Sequence, residues 1–288
     1  MTSSVWLRLG RISNLPTVWT NTLAAFALVG AKAEASSVAL AALAMSFYYV
    51  AGMYLNDAFD RNIDAVERPT RPIPAGAVSA AAVFGAGFAM LGLGLAVTLW
   101  LAHRLDHLNS AWTSAVLLGT AIVGYDAYHK GNPVSPLLMA LCRALVYTTV
   151  GLAVGGSLDP RLQLGALVLT AHLIGLTYAA KQETLARLES WWPLALLALP
   201  PICGLWLAVQ QPLVLPFALA LIGWTLHSLR YLWQPQRRSI PQAVVRLIAG
   251  ICLVDAMLIA ASGRAGLAFV AAAMLFLTRW AQRYIPGT

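Results

Sequence analysis

Charge is scarce in this sequence. Only 10% of its 288 residues are Asp, Glu, Lys or Arg, while 59% are hydrophobic; a soluble domain carries about 25% charged residues. The mean hydropathy is +0.71. A water-soluble fold of this size cannot hide so much apolar surface, so hydrocarbon must be part of its solvent. Cysteine is also scarce. Cys142, Cys203 and Cys252 each stand alone in an apolar segment, which excludes a disulfide scaffold or a cysteine–zinc cluster and leaves small core residues. His103 and His107 lie four apart, but the run HRLDH lacks the glutamate of a zinc-protease helix and reads as an ordinary wet loop. There is no low-complexity tract and no linker, so residues 1–288 read as a single domain. The opening residues hold Arg8 and Arg11 among polar neighbours and do not read as a cleavable leader.

What is present is a series of apolar runs. A membrane-crossing helix needs about 20 mainly apolar residues. Such runs fall at 16–30, 36–55, 78–101, 110–125, 134–155, 162–180, 191–209, 213–232, 243–260 and 265–284. The expected fold is therefore all-α: a polytopic transmembrane helical bundle of about ten spans. The net charge of +8 is explained by orientation rather than by nucleic acid. With the N-terminus placed in the cytoplasm, fourteen of the 19 basic residues fall on the cytoplasmic side. Lys32, Arg104, Arg161 and Arg264 fall outside, and Arg143 lies within a span. Tryptophans near span ends, such as Trp100, Trp192 and Trp233, suit an interfacial belt.

The acids are few but concentrated. Of 11, four lie in the stretch YLNDAFDRNIDAVERPTRPIPAG that follows the second run: Asp57, Asp60, Asp64 and Glu67. If the helix continues past Leu55, Asp57, Asp60 and Asp64 stand at i, i+3 and i+7, with Asn56 four before Asp60, all on one face. Carboxylates about 5–6 Å apart repel by roughly 3 kcal/mol at an effective dielectric near 20. A divalent cation offsets this. Oxygen-only donors suit Mg²⁺, which takes one or two carboxylates, keeps waters, and shares its other positions with substrate phosphates. Arg61, Arg68 and Arg71 stand beside the acids, and arginine is the fork-shaped phosphate binder. Carboxylates and arginines at a membrane surface point to a Mg²⁺–diphosphate site for a substrate with an apolar tail. The competing reading is a solvated loop whose acids and arginines pair among themselves.

The run N-D-x-x-D-x-x-x-D followed by R-P-x-R-P-I-P-A-G resembles the first aspartate-rich motif of the UbiA superfamily of intramembrane prenyltransferases. YDAYHK, ending in Lys130, is similar to that family's element between helices four and five, and the opening RLGRISNLPTVWTN fits its first helix. The resemblance implies nine UbiA-like helices, with the tenth C-terminal one an addition. It implies Mg²⁺-dependent transfer of a prenyl group from a prenyl diphosphate to a lipophilic or aromatic acceptor, with membrane lipids around the chain. By position, Asn56, Asp60 and Asp64 would bind metal with Asp57 near them, and Arg61, Arg68, Arg71 and Lys130 would hold phosphates.

One part of the family pattern is missing. The second acidic motif, D-x-x-x-D at the end of the sixth helix, is replaced here by LTYAAKQETLARLES. Glu183 is the one acid left for metal, and Arg187 stands where a carboxylate is expected, so that Arg187 or Lys181 would face the diphosphate directly. Lys181 is weighed between contacting phosphate in place of the missing cation and reaching out to interfacial water. NLPTVWTN and LTYAAKQE resemble the divergent UbiA-like members of bacterial Ebo-type clusters, which implies a bacterial inner membrane with the site loops cytoplasmic. The departure also keeps a second function in play: non-catalytic binding or handling of a prenyl-diphosphate-like lipid. A transporter is disfavoured, because no paired Gly/Pro-broken spans occur in matching halves.

Three further groups are singled out. Asp126 at the end of the fourth run is read as a helix-end acid in headgroup water, with replacement of the missing carboxylate as the alternative. Arg143 and Asp255 lie inside spans, where a charge costs about 2.5–3.5 kcal/mol on insertion scales; each needs a partner that the sequence does not identify. Tyr48, Tyr49, Tyr54, Tyr147 and Tyr178 are candidates for the wall of a prenyl cavity.

Overall fold

The computed structural model describes residues 2–181, 192–233 and 239–287. Described residues form helices and turns, with no strand among them. A short helix α1 (Thr2–Leu9) precedes α2 (Leu15–Leu28), α3 (Ala35–Phe59), α4 (Arg61–Glu67), α5 (Ala80–Arg104), α6 (Leu108–Tyr128), α7 (Ser135–Gly155) and α8 (Pro160–Lys181). A 3-10 segment (Trp192–Ala198) leads into α9 (Leu199–Gln210), followed by α10 (Leu215–Trp233), α11 (Ile240–Ala261) and α12 (Ala265–Ala281). Each of the ten expected apolar runs coincides with a helical segment. Among the described residues, six helices are both long and apolar enough to cross a membrane: α3, α5, α7, α8, α10 with the turn before it, and α11. α2, α9 and α12 are shorter, with 14, 12 and 17 residues. α6 has 21 residues but carries Asn109, Ser110, Thr113, Ser114 and Thr120.

α11 is the centre of the bundle. It packs against α2, α8, α10 and α12, and its apolar residues from Ala249 to Ala260 are almost wholly buried. A helix apolar all round is stable only where neighbours or lipid cover every face. On the other side of the molecule α3 lies along α5. That contact depends on small residues, as expected where lipid supplies no hydrophobic drive between helices. A Cβ at Gly94 would sit 2.9 Å from the Tyr48 ring, and one at Gly87 would sit 2.8 Å from Leu55. Tyr48 is thereby held upright with its hydroxyl donating to the Ala115 carbonyl of α6 at 3.0 Å.

The C-terminal helix is an integral part of the bundle. α12 packs on α11 and α2. Beyond it, the Gln282 amide donates to Asn14 Oδ1 at 2.9 Å and the Asn14 amide donates to the Gly287 carbonyl at 2.8 Å. The two intramembrane charges also find partners. Arg143 donates to Asn21 Oδ1 at 2.7 Å, while the Asn21 amide donates to both carboxylate oxygens of Asp255, which also accept from Thr20 and Tyr147. α2 supplies Thr20 and Asn21, so one polar seam joins α2, α7 and α11 where apolar packing would not fix register.

Candidate functional site

α3 stays helical to Phe59, turns slightly at Asp60 (φ −75°, ψ −7°), and continues as α4. The hydrogen bonds Asp60 N–Asn56 O and Asp64 N–Asp60 O, at 3.0 and 2.8 Å, carry the helical pattern through the joint. This keeps Asn56, Asp57, Asp60 and Asp64 on one face. The face is turned inward: Asp60 is 4% exposed and Asp64 1%. A solvated loop is therefore not what the chain builds.

Buried carboxylates require counter-charge, and basic groups from three parts of the chain supply it. Arg11 Nη2 lies 2.9 Å from Asp57 Oδ1. Arg71 Nη1 bridges Asp64 Oδ2 at 2.6 Å and Asp57 Oδ1 at 3.3 Å. His129 Nε2 lies 3.3 Å and Lys130 Nζ 3.8 Å from Asp60 Oδ2, and Lys130 also faces Glu67 at 3.6 Å. Arg71 reaches back because the R-P-x-R-P-I-P-A-G segment folds into successive turns, closed by Gly76 at φ +72°. Arg11 is held by a strained turn between α1 and α2. Its φ of +41° is unusual for a residue with a side chain, and its carbonyl accepts from the Tyr49 hydroxyl at 3.2 Å. Burial opposes the charge of Arg11, but Asp57 and its neighbours outweigh it and hold the guanidinium pKa above the ordinary arginine value.

Above this face, between α2, α3, α6 and α7, lies a mostly apolar cavity. Its empty space is about 560 Å³, including the part open to the surroundings. Tyr48, Tyr49 and Tyr125 present rings to it, Cys142 and Arg143 line its wall, and Asp126 stands in its lining. The Arg143 guanidinium lies 5.6 Å over the Tyr49 ring. Of the five tyrosines singled out from sequence, only Tyr48 and Tyr49 belong to this wall. Tyr54 packs on Trp6 of α1, Tyr147 bonds Asp255, and Tyr178 packs with the cluster between α8 and α11.

The structure places the remaining expected residues as follows. Arg61 donates to the Ala58 carbonyl at 2.9 Å and lies 5.6 Å over the Phe84 ring, away from the carboxylates. Lys181 donates to the Asn132 carbonyl at 2.7 Å and to Ser135 Oγ at 3.0 Å, tying the end of α8 to the turn before α7. Arg68 begins the turn after α4. Glu183 and Arg187 lie outside the described residues. The reading of Asp126 as a helix-end acid in headgroup water is corrected: it is 3% exposed, because the end of α6 packs against α3, and Asn56 donates to its Oδ1 at 3.4 Å. Sequence reasoning also passed over Arg11 and His129 as site residues. Neither has a spacing relation to the acids 46 or 69 positions away that a linear pattern would reveal.

The donor set can be tested against a divalent cation. Asp64 Oδ1 and Asp126 Oδ2 are buried with no hydrogen-bond partner. Among the described residues, no three carboxylate, histidine or cysteine side chains converge closely enough to enclose an ion by themselves. Oxygen donors with spare valence, too few to complete a shell, fit Mg²⁺ with retained waters and a phosphate ligand. They do not fit a closed zinc or calcium cage.

The sequence model of the UbiA prenyltransferase family matches residues 15–251. A digeranylgeranylglyceryl phosphate synthase of Natronomonas pharaonis is 33% identical over 150 residues, about half of each chain (51%). A protein of the same name from Methanopyrus kandleri is 30% identical over 234 residues, 79% of this chain and 80% of that one. Among solved structures, a UbiA homolog from Archaeoglobus fulgidus bound to DMAPP and Mg²⁺ superposes with a TM-score of 0.62, covering 94% of this chain and 99% of that one at 16% identity. At that identity the likeness is one of fold.

Proposed function

The chain belongs to the UbiA prenyltransferase family, and from that premise we propose that it transfers a prenyl group from a prenyl diphosphate, with Mg²⁺, to a lipophilic acceptor inside the membrane. The observation that carries this reading is the buried face of Asn56, Asp57, Asp60 and Asp64 opening beside a tyrosine-walled apolar cavity. The Mg²⁺-bound Archaeoglobus homologue supports the choice of cation. The relatives named for digeranylgeranylglyceryl phosphate favour a glycerophosphate acceptor over an aromatic one. Arg143, a cation in the cavity wall, is compatible with an acceptor that carries an anion.

Asn56, Asp60 and Asp64 would hold the Mg²⁺, with Asp57 beside them. When bound, the ion would neutralise the leaving diphosphate. The chain's own residues then have distinct tasks. Arg71 and Lys130 already pair with the carboxylates and can turn their remaining donors to phosphate oxygens, so the diphosphate departs against fixed positive charge. Arg11 holds Asp57 in place. As the C–O bond to diphosphate breaks, the allylic carbon gains positive charge. The rings of Tyr48, Tyr49 and Tyr125 line the cavity where that charge would develop and help to exclude the water that would trap it.

The test is incubation of the purified protein with prenyl diphosphates of several lengths and either a glycerophosphate or an aromatic acceptor, with product detection by mass spectrometry. A prenylated glycerophosphate supports the reading. Prenylation of the aromatic acceptor alone removes the acceptor assignment. Tight Mg²⁺-dependent binding with no product under any pairing replaces the enzyme with a lipid-handling protein.

A further inference from the structure

Asp126 differs from the other carboxylates of the site in two ways. It comes from α6 rather than from α3 and α4. Asp57, Asp60 and Asp64 each have a basic group within 4 Å, whereas no ion pair among the described residues reaches Asp126. Its Oδ1 is tied to the Asn56 amide, and its Oδ2 is buried without a partner. The end of α6 is also fastened to the acidic face through His129, whose Nδ1 lies 3.3 Å from the Asp126 carbonyl and whose Nε2 faces Asp60. Asp126 lines the cavity, so it stands where the ionic face meets the apolar wall.

A carboxylate buried without counter-charge is strongly disfavoured. Asparagine at the same place would keep the bond from Asn56 at a smaller cost. Facing a diphosphate directly, the acid would repel it. A cation between them removes both penalties, as would protonation of the acid, and the two differ in what Asp126→Asn does to cation affinity. Asn56 binds Asp126 through its amide nitrogen, so its own carbonyl oxygen is not used in that bond. Asn56 Oδ1 and Asp126 Oδ2 thus form a neighbouring pair of oxygen donors contributed by two helices.

We infer that Asp126 is a ligand of the divalent cation, directly or through a metal-bound water. This rests on the cation site proposed above. Asp126 Oδ2 and Asp64 Oδ1, both buried without a partner, and the Asn56 carbonyl oxygen are the donors that would be offered to it.

The experiment is a Mn²⁺ titration of the full chain in detergent, followed by the free-ion electron paramagnetic resonance signal. It compares the unaltered protein with Asp126→Asn, Asp126→Glu and Asp64→Asn, each checked by thermal melting. Asp126→Asn is expected to weaken Mn²⁺ about tenfold or more, and Asp126→Glu, which keeps the charge, about threefold or less. Should Asp126→Asn not fold, Asp126→Ser takes its place with the same expectation. Unchanged Mn²⁺ affinity in Asp126→Asn beside a loss in Asp64→Asn overturns the role of Asp126 and leaves the cation site standing. No Mn²⁺ binding by the unaltered protein overturns both.

Discussion

Arg143 and Asp255 never touch, yet one amide serves both. Asn21 accepts from Arg143 at 2.7 Å and donates to the two Asp255 oxygens at 3.0 and 2.9 Å. The charges lie on α7 and α11 and the amide on α2, so removing it takes a partner from each, leaving Arg143 with Thr17 and Asp255 with Thr20 and Tyr147. Asn21→Leu is expected to lower unfolding stability by roughly 2–3 kcal/mol, because the hydrogen bonds it removes are to charged groups. Thermal melting in detergent measures it. An unaltered melting temperature would mean that water in the cavity already solvates Arg143.

Asp60 and Asp64 are expected to act as charged ligands. Asp60→Ala and Asp64→Ala should each weaken Mg²⁺-dependent diphosphate binding at least tenfold, about 1.4 kcal/mol. Calorimetry with inorganic diphosphate, with and without Mg²⁺, reads this directly. Unchanged binding in both folded variants would reduce the acidic face to a structural ion-pair network.

Arg71 now does electrostatic work that a cation would share. Its guanidinium holds together Asp57 and Asp64, which otherwise repel. Arg71→Gln should therefore melt at a lower temperature than the unaltered chain without Mg²⁺, and millimolar Mg²⁺ should recover more of the loss than it adds to the unaltered chain. Diphosphate binding should still fall, because a phosphate donor is gone. Equal Mg²⁺ responses in the two proteins would sever Arg71 from the ion site.

The basic-residue bias predicts that the acidic end of the bundle faces the cytoplasm. Asn62 is exposed on α4, which makes it a reporter. In a chain whose native cysteines are replaced by serine, Asn62→Cys should react with an impermeant maleimide only after the cytoplasmic side is opened. Labelling in intact cells would invert the topology.

What could be read from sequence divides along physical lines. The helices at 36–55, 78–101 and 134–155 were legible because a long apolar run has one stable form in hydrocarbon. The acidic face was legible because Asp57, Asp60 and Asp64 are local in sequence and helical spacing alone aligns them. Arg11, His129 and Asp126 were not, since they reach the site only through the packing of α1, α3 and α6, and no spacing rule encodes that. Asp126 was misread for a definite reason: a charged residue at the end of an apolar run usually meets headgroup water, and here α3 covers it. The partners of Arg143 and Asp255 were invisible because Asn21 and Thr20 look like incidental polar residues in a short first span. The tyrosines divided as they did because a wall requires a direction as well as a ring, and Tyr147 points to Asp255 instead.

The central claim is that the buried carboxylates hold a prenyl diphosphate through Mg²⁺ so that its diphosphate can leave. The most direct measurement is diphosphate release from a panel of radiolabelled prenyl diphosphates incubated with the purified protein in detergent, with Mg²⁺ and with excess chelator. Release that requires Mg²⁺, occurs with at least one donor, and is abolished in Asp64→Ala is the predicted result. No release from any donor by the folded protein with Mg²⁺ present, or release that persists in excess chelator and in Asp64→Ala, would contradict the account.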